Sequence, residues 1–167
     1  MSYLVFLFLA AYLTVLLLLR LFESRLVFFP NHSPRLEGDW RPRSLPVQEV
    51  RLTTADGVKL HAWWIPAEDA KFTFLAFHGN AGNITHRAEA YGFLHQLPVN
   101  VLAVEYRGYG RSEGTPSEEG LYRDARAAYD FLVNEKEIPP ALIIPFGQWL
   151  VTAVAVMALA DCGGRVS

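Results

Sequence analysis

Three short runs constrain this chain more than anything else in it. Lys71 to Phe77, Asn100 to Tyr106 and Ala141 to Phe146 are apolar almost throughout and show no steady polar–apolar alternation. A strand with one wet face alternates, whereas a strand buried on both faces does not. Between these runs the spacing turns helical. Thr85 to Leu97 carries Ala88, Tyr91, Phe93 and Leu94 and is ended by Pro98. Leu121, Ala125, Ala128, Tyr129 and Leu132 then follow at steps of three and four, which makes one apolar stripe. Buried strands alternating with amphipathic helices predict an α/β fold whose parallel sheet is covered on both faces.

A different pattern precedes it. Val47 to Thr54 and Val58 to Ile65 alternate apolar and polar residues on either side of the turn signal Ala55-Asp56-Gly57. That predicts an antiparallel hairpin added to the edge of the parallel sheet. Arg107 to Pro116 is Gly-rich and reads as a loop. The next helix is expected to open at Thr115-Pro116-Ser117-Glu118, with Thr115 as cap, Pro116 in the first helical position and Glu118 bonding back to the cap. Leu150 to Ala160 is small and apolar, as suits a helix packed on a sheet.

The N-terminus is a separate matter. Tyr3 to Leu19 holds no charge over 17 residues, and Leu21 and Phe22 can extend it. That length reaches the lower bound for a membrane-spanning helix. A cleavable signal peptide and a buried core helix are the competing readings. No Lys or Arg precedes the run and no small-x-small site follows it, so an uncleaved anchor is expected at residues 1–22. Arg20 and Arg25 flank its C-terminal side, which places the remainder in the cytoplasm by the positive-inside rule. Residues 23–46 are rich in Pro and Arg and read as a juxtamembrane connector; residues 47–167 make about one domain. With a formal net charge of −2, the chain offers no basis for nucleic-acid binding. Its lone cysteine, Cys162, allows neither an internal disulfide nor a thiol metal cluster, and no metal site is expected. The sequons at Asn31 and Asn83 read as chance matches.

Three segments carry a resemblance. His78-Gly79-Asn80-Ala81-Gly82-Asn83, Val104-Glu105-Tyr106-Arg107-Gly108-Tyr109-Gly110-Arg111-Ser112-Glu113-Gly114 and Pro145-Phe146-Gly147-Gln148 resemble the α/β-hydrolase superfamily. More narrowly, they resemble its membrane-anchored serine-aminopeptidase-like and monoacylglycerol-lipase-like branch. The resemblance implies the N-terminal half of an α/β-hydrolase fold, with an antiparallel hairpin plus parallel strands and flanking helices, preceded by one transmembrane helix. It implies serine-dependent hydrolysis of ester or amide bonds, with no cofactor. It also implies an oxyanion hole built from the backbone N–H groups of Asn80 and Leu150. Gly79 and Gly82 permit the turn of the first loop, and His78 is expected to brace it.

The chain departs from the family pattern at its centre. In Gly147-Gln148-Trp149-Leu150-Val151, Trp149 stands where the family has its nucleophilic serine and Val151 where it has a second glycine. An indole N–H is no nucleophile. No catalytic residue is therefore expected here, and this chain is expected to be inactive. Gly110-Arg111-Ser112-Glu113-Gly114 matches Gly-x-Ser-x-Gly literally, but it lies in a loop, so Ser112 is expected to be a surface residue near the site mouth. The chain runs 18 residues past Trp149, with Asp161 too early for the family's acid and no histidine after His95. His32, His61, His78, His86 and His95 all precede the elbow. A truncated domain with an exposed apolar edge at residues 141–146 is the expectation. The alternatives are a membrane-anchored binding or regulatory pseudoenzyme and an incomplete sequence of an active hydrolase. The expected partners are the lipid bilayer, a small acyl ester or amide ligand, and a protein at the sheet edge.

Overall fold

The computed structural model describes residues 2–30 and 41–147. Helix α1 spans Ser2–Val27 and is exposed over residues 3–26. It is long and apolar enough to cross a membrane, from Tyr3 to Val27.

The hairpin forms where alternation predicts it. Strands β1 (Gln48–Thr53) and β2 (Lys59–Ile65) pair antiparallel, from Gln48 opposite Trp64 to Thr53 opposite Lys59. The non-alternating runs become β3 (Phe72–Phe77), β4 (Val99–Val104) and β5 (Ile143–Gly147). The sheet order is β1-β2-β4-β3-β5, with β4, β3 and β5 parallel and β2 antiparallel to β4.

Both faces of the sheet are covered, and this is what removes alternation from the central strands. One core contains Leu60, Ala62, Trp64, Leu75, Phe77, Leu102 and Val104, closed by the stripe Leu121, Ala125, Ala128 and Leu132. The other contains Trp63, Ile65, Ala76, Val101 and Ala103, closed by Ile84, Tyr91 and Leu94. The first stripe belongs to α3 (Glu118–Asp130), which runs on through Phe131–Glu135 in wider π turns. The second belongs to α2 (Ala88–Leu94) and the single 3₁₀ turn Ile84–Arg87 before it. The α-helical part of this segment is thus shorter than the spacing of Thr85 to Leu97 suggests.

The start of α3 corrects the expected cap. Ser117, not Thr115, is the N-cap: its backbone is extended, and its hydroxyl accepts a hydrogen bond from the Gly120 N–H at 3.1 Å. Pro116 is buried just ahead of the cap, packed near Gly108. Glu118 is then the first helical residue. From there it cannot close a capping box, but with Glu119 it complements the positive end of the helix.

Candidate functional site

The topology sets a switch point before any side chain is considered. From β3 the chain passes through α2 to β4 on one side; from β4 it passes through α3 to β5 on the other side of β3. The two helices lie on opposite faces. Ligands of open α/β sheets bind at such a switch point, outside the C-terminal ends of the strands. Phe77 and Gly147 are register partners at that end. The loop that starts at His78 and the chain that leaves β5 therefore depart from the sheet side by side. Gln148, Trp149, Leu150 and Val151 lie outside the described residues, as do Asn31, His32, Asp161 and Cys162.

His78 is buried at the root of the loop, between the rings of Tyr106 and Tyr109 at centroid distances of 4.7 and 5.1 Å. Its Nδ1 lies 2.7 Å from the Gly79 carbonyl oxygen. A carbonyl only accepts, so Nδ1 carries the proton and donates it. The Gly79 carbonyl shares a peptide plane with the Asn80 N–H, so His78 fixes the direction of that N–H. Nε2 of His78 lies 2.9 Å from Oε1 of Glu105, close enough for an ion pair but out of line for a hydrogen bond. Glu105 is itself buried and accepts from the Ile84 N–H at 3.4 Å through Oε2.

The rest of the loop is held just as closely. Gly82 has a φ of 85°, and a Cβ there would sit 2.8 Å from His86 Nδ1. Asn83 is buried; its Oδ1 accepts from both the backbone N–H and the hydroxyl of Thr85, and its Nδ2 is shut off from solvent, which leaves no accessible amide for a glycan. The Asn80 carbonyl accepts from the Tyr109 hydroxyl at 2.8 Å and from the Phe29 N–H at 3.0 Å. Burial pushes the Tyr109 phenol up to about 12, so it keeps its proton and donates.

Ser112 corrects its expectation. It is 1% exposed, not a surface residue. Its hydroxyl donates to the Glu105 carbonyl at 2.7 Å and accepts from the His61 N–H at 2.9 Å, so it stitches the loop after β4 to β2. His61 is 3% exposed; neither ring nitrogen has a hydrogen-bond partner, Nε2 lies 3.7 Å from Oε1 of Glu49, and a narrow cavity with room for about one water molecule adjoins the ring. Among the described residues, no group of three His, Cys, Asp or Glu side chains could hold a metal ion.

Sequence reasoning overlooked Glu105 and Tyr109 as the supports of the loop. The signal was present: a lone acid directly after an apolar strand, followed by aromatic residues in a glycine-rich stretch.

The Arabidopsis thaliana alpha/beta hydrolase domain-containing protein WAV2 is 39% identical over 157 residues, covering 90% of this chain and 51% of that protein. Schizosaccharomyces pombe protein bem46 is 32% identical, covering 87% and 51%. An uncharacterized Mycobacterium tuberculosis protein is 39% identical, covering 80% and 48%. The solved structure of the Pyrococcus furiosus esterase Pf2001 superposes with a TM-score of 0.63 at 28% identity, covering 82% of this chain and 53% of the esterase. No family model matches the chain. The chain spans about half the length of the curated relatives it matches.

Proposed function

The chain belongs to the α/β-hydrolase superfamily, and from that premise we infer a membrane-anchored member that keeps the oxyanion side of an acyl-transfer site and lacks its nucleophile. The observation that carries this reading is Trp149. The strand register sets the exit of β5 beside the oxyanion loop, and the sequence has Trp149 two residues past Gly147. The family's chemistry needs a side chain there that loses a proton and attacks a carbonyl; indole does neither. Ser112 does not substitute, because both its hydrogen-bonding roles are spent inside the fold. Helix α1 serves as the anchor, and Arg20 and Arg25 put the globular part on the cytoplasmic side.

The test is covalent. A fluorophosphonate probe applied to membranes carrying the full chain leaves it unlabelled. Labelling that disappears in Ser112→Ala would overturn the reading.

A second reading has its own support. The loop from His78 to Asn83 is braced at several points, with Gly79, Asn80 and Asn83 all tied. That suits a protein that holds the carbonyl of an acyl ester or amide without cleaving it. A protein partner adding a strand beside β5 belongs to the same reading, since among the described residues β5 pairs only with β3. A long-chain primary amide titrated into the detergent-solubilised chain binds saturably on this reading; the absence of saturable binding removes the amide ligand.

A further inference from the structure

The residues that leave α1 are bonded to the oxyanion loop with no free linker between. The Phe28 N–H closes the last helical turn on Ser24 O at 2.9 Å. One residue on, the Phe29 N–H is shared between the Asn80 carbonyl at 3.0 Å and the Tyr109 hydroxyl at 3.1 Å. Phe29 and Ala81 form an isolated parallel bridge. In the other direction, the Asn80 side-chain amide donates to the Val27 carbonyl at 3.1 Å. The Phe28 side chain packs against the core that holds Tyr106 and Tyr109. Two backbone groups at the exit of α1, the Val27 carbonyl and the Phe29 N–H, therefore grip one residue of the loop from both sides.

Length then fixes where that loop sits. A helix of 26 residues is about 39 Å long at ~1.5 Å per residue. The hydrocarbon of a bilayer takes about 30 Å of it, and each headgroup layer adds roughly 5–8 Å. The surplus of the helix is about one headgroup layer. It holds Glu23 and Arg25, where charge is tolerated, and Arg20 lies within one turn of it, close enough for its long side chain to snorkel to the headgroups.

We propose that Val27–Phe29 is a strap that docks the oxyanion loop onto the headgroup layer of the membrane and holds the Asn80 peptide in place. This rests on α1 spanning the bilayer. The C-terminal ends of β3 and β5 then face the lipid surface, while the N-terminal ends of β3 and β4 point away from it. Six residues of strand separate the two ends by about 20 Å, which a depth measurement resolves.

The experiment uses the full chain with Cys162 replaced by alanine, in phosphatidylcholine vesicles carrying lipids spin-labelled near the headgroup or deep in the acyl chain. Single fluorophores are placed at Leu13→Cys, Ala81→Cys and Glu68→Cys, all exposed positions. The expected result is quenching of Leu13 by deep labels, of Ala81 by headgroup labels, and of Glu68 by neither. If Leu13 is quenched and Ala81 is not, the strap is wrong and the anchor stands. If Leu13 is not quenched by deep labels, both fall. A second measurement reads the loop itself by amide hydrogen exchange. Phe29→Pro removes the shared N–H and Tyr109→Phe removes the hydroxyl. Each speeds exchange at residues 80–83 by about fivefold to tenfold, the scale of one lost hydrogen bond, and leaves the β1–β2 hairpin unchanged. Unchanged exchange in both variants overturns the positioning role.

Discussion

Gly110 shows how one residue without a side chain governs a buried charge. Its φ is 44°, and a Cβ built there would overlap the Glu105 carboxylate. Glu105 in turn faces His78 and receives the Ile84 N–H. Gly110→Ala therefore displaces the acid that backs the His78–Asn83 loop. The expected cost is ~2–4 kcal/mol, from backbone strain plus a buried polar group losing its partner, read by denaturant unfolding. Gly92→Ala, where nothing lies within 4 Å, is the control and is neutral or stabilising. His61 is the residue with a pH signature. Burial lowers its pKa below the ordinary 6.5; Glu49 and Glu105 push the other way, and Arg51 and Arg111 add to the lowering. Below 6.5 the unfolded chain binds a proton that the folded chain refuses. Stability is therefore full above about pH 6.5 and falls as pH drops toward the folded value. His61→Leu flattens that slope between pH 7 and 5. An equal slope in both proteins assigns it elsewhere.

At the scale of elements, strands and helices followed from patterning, and the misses share a cause. The three non-alternating runs became parallel strands, and the Leu121 stripe became the inner face of α3, because burial on a sheet demands those periods. The cap of α3 was misplaced because Thr115 and Ser117 are equivalent by type. Only the direction in which the chain enters the helix decides which hydroxyl reaches an N–H three residues on. Ser117→Ala is expected to cost about 1 kcal/mol and Thr115→Ala close to nothing, in matched thermal melts. The reverse ordering would return the cap to Thr115.

The hairpin, β4 and α3 are joined by a charge network, buried at Arg107 and Asp124, that no local pattern announces. Arg107, just past β4, donates to the Asp124 carboxylate of α3 from its backbone N–H at 2.9 Å and from Nε at 2.8 Å. Its other nitrogens reach Asp56 in the hairpin turn at 2.8 and 3.1 Å. Asp124 is fully buried, and burial raises its pKa above the ordinary value despite Arg107. Arg107→Met strands that carboxyl and is expected to cost roughly 3–5 kcal/mol, most of it recovered in Arg107→Met/Asp124→Leu. If the double variant recovers nothing, Arg107 acts through Asp56 instead.

The sequence by itself determined the class of fold, the anchor-like helix, the family and the absence of a serine at position 149. Each of these is written in local order, as a period, a run length or a motif. The tertiary structure alone decided that Ser112 is a buried brace, that Glu105 and Tyr109 hold the His78–Asn83 loop, and that the exit of α1 grips Asn80. Those contacts join residues 7 to 80 positions apart in the chain, such as Ser112 with Glu105 and Phe29 with Tyr109. Which distant donor meets which acceptor is set by how the sheet and helices pack, and no spacing along the chain encodes it.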